Sequence, residues 1–264
     1  MNPASRVLAI VQEFKSQSNG QSIADGWEKI LALQKDDDSE DQVYIAVQAF
    51  LGELKLIQLR LRDLGAPEEL FAPHVARLKN SFNPTQLGSG WQSHREVVTS
   101  EASLNALQWA SWVLKQFDEN DLDEASLDAL RDALYEQDAL LENVALPSQL
   151  REILARQALT LKVAINLYKI RGVAPLREAV HKSVGELVSE NRLNDDAIKD
   201  VTQESNNAVQ KGLLLLTKAA EVADKGSKVA KFVKQMYEWS LTGIEHMQAA
   251  FPNGILPPLK DVSP

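Results

Sequence analysis

The sequence has no cysteine, which excludes disulfides, thiolate catalysis and cysteine-ligated zinc. That absence fits a reducing compartment. Long apolar runs are missing too. The run at residues 7–11 is interrupted by Gln12 and Glu13, and the one at 213–216 is four leucines long. Neither approaches the roughly 18 apolar residues of a membrane span or the apolar centre of a signal peptide. The expectation is an unprocessed cytoplasmic chain, of a bacterial-type cytosol. Histidine is scarce, with four in 264 residues. There is no Gly-rich phosphate loop, no HExxH and no GxSxG. Runs of alternating β-branched residues bounded by turn pairs are nearly absent, so a sheet has little support.

What is present is apolar mass and helical periodicity. Hydrophobic residues make up 44% and charged residues 25%, enough for a real core. Apolar positions recur at helical spacing through most of the chain: Val7, Ile10, Val11 and Phe14; Val43, Val47, Phe50, Leu54, Ile57 and Leu61; Leu150, Ile153, Leu154, Leu161 and Ile165. Capping residues punctuate them. Asn2 precedes Pro3, Ser22 and Ser100 stand before apolar stripes, and Gly65 and Gly172 follow the ends of long ones. Residues 67–82 read as a short helix broken or kinked at Pro73. The pattern predicts an all-α, multi-helix bundle of nine or ten helices. Its divisions are an N-terminal subdomain over 1–82, a linker or long loop over 83–94, a C-terminal bundle over 95–250 and an irregular tail over 251–264. The linker expectation rests on Pro84, Gly88 and Gly90 in a stretch without apolar periodicity.

Charge is unevenly placed. The net charge is −9, and residues 101–145 alone carry eleven acidic side chains against two basic ones. Residues 208–264 carry seven basic against five acidic. An acidic chain repels phosphate at long range, so DNA binding is not expected. A local basic face near the C-terminus remains compatible with this balance.

Four constellations carry the candidate chemistry. Arg177, Glu178 and His181 share one helix face. Glu178 and His181 have the spacing of half a di-iron site, but no second Glu-x-x-His exists. Arg177 and His181 fall short of the Arg–His spacing that helical RNases use, and with Glu178 they remain a catalytic watch list without a firm assignment. The acidic stretches at 36–38 and 118–129 lack the closing Glu and the glycine of a calcium loop, so they read as solvated loops. Val201, Ala208, Leu215 and Val222 recur every seven residues, and Gly212 and Ala219 lie on the adjacent row, as in a helix–helix or dimer seam. Lys225, Lys228, Lys231 and Lys234 lie beside Phe232 and Trp239, a pattern for a partner or anionic lipid contact.

These features imply no metal and no cofactor. The leading expectation is a non-catalytic helical interaction protein (adaptor, subunit or regulator) with a protein partner or self-association. The alternatives are a peripheral membrane effector using the basic C-terminal helices, and an RNase-like enzyme using Arg177 and His181.

Overall fold

The computed structural model describes residues 1–33, 39–190 and 203–241. These residues form eleven α-helices and three short 3-10 segments, and their only extended pairing is an isolated Ser22–Gly90 bridge. The fold is the all-α multi-helix bundle that the periodicity predicts. The chain divides into two compact units, Met1–Asp121 with Asn166–Val173, and Leu122–Ile165 with Ala174–Pro264. This division differs from one at residues 83–94, which lie inside the first unit.

In the first unit, α1 (Pro3–Ser16) starts where the Asn2 side chain accepts from the Ser5 N–H at 3.0 Å, with Pro3 in its first turn. Its inward row is Val7, Ile10, Val11 and Phe14. α2 (Ile23–Ile30) opens on a capping box between Ser22 and Asp25. α3 (Ser39–Asp63) is the long central helix, and both α1 and α2 pack on it. α4 (Ala72–Ser81) has Pro73 in its first turn, so this proline opens the helix rather than breaking one. The residues just before it form only the 3-10 segment Glu68–Leu70. α5 (Gln92–Val98) and α6 (Glu101–Val113) follow, the latter capped by Ser100.

α5 is the helix beyond the expected nine or ten. It starts inside the predicted linker because Trp91, fully buried, anchors its N-terminus. The rest of 83–94 is held against the start of α2. Ile23 and Ala24 donate to the Ser89 and Leu87 carbonyls, each at 3.0 Å, and Trp91 donates to the Gln21 carbonyl at 2.8 Å. A glycine- and proline-bearing segment without periodicity is therefore ordered by long-range hydrogen bonds, which a local reading does not contain.

The centre of this unit is aromatic. Phe14 touches Trp27, Phe82 and Trp91 with ring centroids 5.3, 4.8 and 5.1 Å apart. Phe50 closes the group against Trp27 and Phe82. The same unit also encloses a buried charge. Arg6, 4% exposed, donates through Nη2 to Glu53 at 2.8 Å, through Nε to the Ile170 carbonyl at 3.1 Å, and through Nη1 to the Met1 carbonyl and Glu119. Gly172 lies against this cluster at φ +65°. A Cβ there would stand 2.5 Å from Glu119 Oε2 and 2.8 Å from Arg6 Nη1. Gly172→Ala is expected to lower stability by about 2 kcal/mol, combining left-handed backbone strain with displacement of the ion pair. Urea denaturation checks this, and a change within about 0.5 kcal/mol would show that the cluster yields freely.

In the second unit, α7 (Glu124–Asn143) and residues 148–165 of α8 (Ser148–Arg171) are joined by α9 (Ala174–Glu190), α10 (Gln203–Ala223) and α11 (Lys228–Leu241). α10 packs on α7, α9 and α11. The C-terminal carbonyls of α7 are met by Arg151, which donates to Leu141 and, at 2.7 Å, to Val144. The α10–α11 turn places Gly226 at φ +88°, and Ser227 caps α11 by accepting from the Ala230 N–H at 3.0 Å.

Candidate functional site

The outward face of α7 is the most distinctive surface of the second unit. The helix buries Leu130, Ala133, Leu134 and Gln137, which leaves a polar arc outside. Asp128, Asp132, Tyr135 and Glu142 are exposed and follow one another at spacings of four, three and seven, so they form one stripe along the helix. Tyr135 stands in the stripe with 76% of its surface exposed. Glu124 and Arg131 flank it, and Arg131 pairs with Asp128 at 2.8 Å. Glu136, one step round the helix, is ion-paired to Lys211 of α10, and that hydrogen bond holds its carboxyl below the ordinary value. Asp138 lies partly inside, where burial pushes its carboxyl up. Glu124, Asp132 and Glu142 form no ion pair among the described residues.

The charge run at 101–145 announces this acidic arc, but Tyr135 escapes a composition-based reading. It directly follows Leu134 of the apolar line, and one residue along a helix turns the side chain by about 100°. That offset is the signal by which the sequence places Tyr135 outside.

The C-terminal constellations fall into two parts. Ala208, Gly212, Leu215 and Ala219 are buried on α10, and Val222 is half-buried. Their row faces the unit's own helices. A Cβ on Gly212 would stand 2.7 Å from a Leu154 methyl, and Gln157 donates to the Gly212 carbonyl at 2.8 Å. Val201 and the side chain of Trp239 lie outside the described residues. On α11, Ala230, Val233 and Met236 are buried, so the apolar face is already taken up by packing on α10. Lys228, Lys231 and Lys234 are exposed, as is Lys225 in the preceding turn, and Phe232 is half-buried at the edge.

Arg177, Glu178 and His181 are all exposed on α9. The fold adds what the sequence does not pair with them. Arg177 and His181 line a small, shallow cleft with Val180 and with Ala220, Ala223, Asp224, Ser227 and Val229, from the end of α10, the following turn and the start of α11. Val180, Ala220, Ala223 and Val229 form its apolar wall, and it brings Arg177 and His181 to Asp224. Glu178 does not line it. Among the described residues, no group of three or more histidines and carboxylates is placed to hold a metal ion. No described helix is long and apolar enough to cross a membrane. No family model, curated protein or solved structure matches this chain.

Proposed function

We propose that this chain is a non-catalytic interaction protein, an adaptor or regulatory subunit, which presents the outer stripe of α7 to a basic segment of a partner protein. The observation that carries this reading is Tyr135, exposed in the midst of carboxylates on a helix whose packing does not require it. An exposed tyrosine brings a large apolar surface and a π-face that attracts Lys and Arg. The surrounding carboxylates raise the encounter rate and favour a basic partner over an acidic one. The acidic stripe supplies orientation and selectivity, and the ring supplies the buried centre of the contact.

Titration of a labelled arginine-rich peptide with the full chain tests the proposal. Tyr135→Ala is expected to weaken binding about tenfold or more, the usual effect of removing an aromatic anchor. Asp132→Lys should weaken it further as salt is lowered, because a repulsive charge then replaces an attractive one. Peptide binding unchanged by both substitutions would remove α7 as the site and the adaptor reading with it.

A further inference from the structure

The α7 stripe has a complement within the same sequence. We infer that the basic segment it takes is the outer face of α11 on a second copy of this chain. The inference rests on the α7 reading and names its partner. α11 exposes Lys228, Lys231 and Lys234 against a single exposed carboxylate, Glu238, and Lys225 continues the row into the preceding turn. None of these lysines forms an ion pair among the described residues. α7 exposes Glu124, Asp128, Asp132, Glu136 and Glu142 against a single cation, Arg131. The two charge excesses are opposite and are segregated onto separate helices.

Both helices pack on α10 by their inward rows, so their outer rows remain open in one copy. Each face differs from the one it meets. The contact is therefore heterologous, α7 of one copy against α11 of the next, and it propagates as a ring or an open chain. Leu241, exposed on the last described turn of α11, gives the basic face an apolar end. Tyr135 gives the acidic face its own apolar element, and the lysines can lie over its ring.

The net charge of −9 opposes association at long range, and salt separates the two effects. At about 0.1 M salt the screening length is about 10 Å, so repulsion between whole molecules is damped while charges in contact still attract. At about 1 M the length is about 3 Å, and the contact weakens as well.

Sedimentation velocity of the full chain against concentration is the test. The expected result is reversible association at about 0.1 M salt that falls at least tenfold at about 1 M. Lys228→Glu with Lys231→Glu and Lys234→Glu should give a monomer, and so should Asp128→Lys with Asp132→Lys and Glu142→Lys. An equimolar mixture of the two variants should associate again, because each keeps one native face and the reversed faces are again opposite in sign. That recovery also shows both variants to be folded. A native chain that stays monomeric, or charge-reversed variants that associate as the native chain does, would overturn the inference. The arginine-rich peptide separates this failure from failure of the α7 reading. A monomeric chain that binds the peptide through Tyr135 has a different basic partner, whereas one that binds neither loses both proposals.

Discussion

Arg6→Ala is expected to lower the unfolding free energy by about 3–5 kcal/mol, measured by urea denaturation, because it leaves Glu53 charged and buried without its partner. The guanidinium joins α1 to α3, to Glu119 and to the end of α8, and both members of the Arg6–Glu53 pair are almost wholly enclosed. The Ile170 carbonyl would lose its donor in the same substitution. Arg6→Met combined with Glu53→Leu should recover much of the loss, since it removes both charges and retains side-chain volume. A double variant as unstable as the single one would show that the remaining bonds, to Ile170 and Glu119, carry the cluster.

The same site sets a pH dependence. Burial raises the Glu53 carboxyl above its ordinary value, against the hydrogen bond and charge of Arg6, which lower it. A carboxyl raised on folding makes its full contribution below its unfolded pKa of about 4.3, and that contribution is lost as pH rises through the folded value. Removing Arg6 takes away the two largest opposing causes, so the folded value rises further and the loss deepens toward neutral pH. The difference between native and Arg6→Ala proteins is expected to be larger at about pH 8 than at about pH 5. A difference that does not vary with pH would mean that Glu53 is not the group left uncompensated.

Phe14→Ala should cost about 3–5 kcal/mol, the range for emptying an aromatic site in a close-packed core. Phe14 is fully buried and meets three other rings from α2, the end of α4 and the start of α5. Its loss removes the shared contact of segments far apart in sequence. Phe14→Leu retains most of the apolar surface and is expected to cost only about 1–2 kcal/mol. Equilibrium urea denaturation with near-ultraviolet circular dichroism distinguishes the two, because the indoles of Trp27 and Trp91 report on the same packing. A cost below about 1 kcal/mol for Phe14→Ala would show that the cluster closes around the gap.

The aromatic cluster and the charge cluster illustrate different degrees of legibility. Phe14, Trp27 and Phe50 each fall on an apolar stripe, so their burial can be read from periodicity alone. Arg6 lies one position before Val7 and reads as a surface cation, because nothing local reveals that Glu53 and the Ile170 carbonyl will meet it. The candidate surface divides in the same way. The acidity of α7 and the lysines of α11 are compositional and visible at once. Tyr135 requires the helix phase to place it outside, and the exposure of both faces on one unit requires knowing that α10 takes their inward rows.

The sequence by itself determined every helix but α5, wherever apolar residues recur at a helical period between caps, and charge of opposite sign on α7 and α11. These are short-range properties, set by backbone sterics, local hydrogen bonding and side-chain order along one helix. The tertiary structure alone decided the partners. It ordered residues 83–94 through the Ile23, Ala24 and Trp91 hydrogen bonds, buried Arg6 against Glu53, brought Asp224 and Ser227 to the cleft beside Arg177 and His181, and packed the Gly212 row inside the second unit. Each of these joins residues distant in the chain. Their free energy depends on desolvation and close packing in three dimensions, which no local pattern encodes.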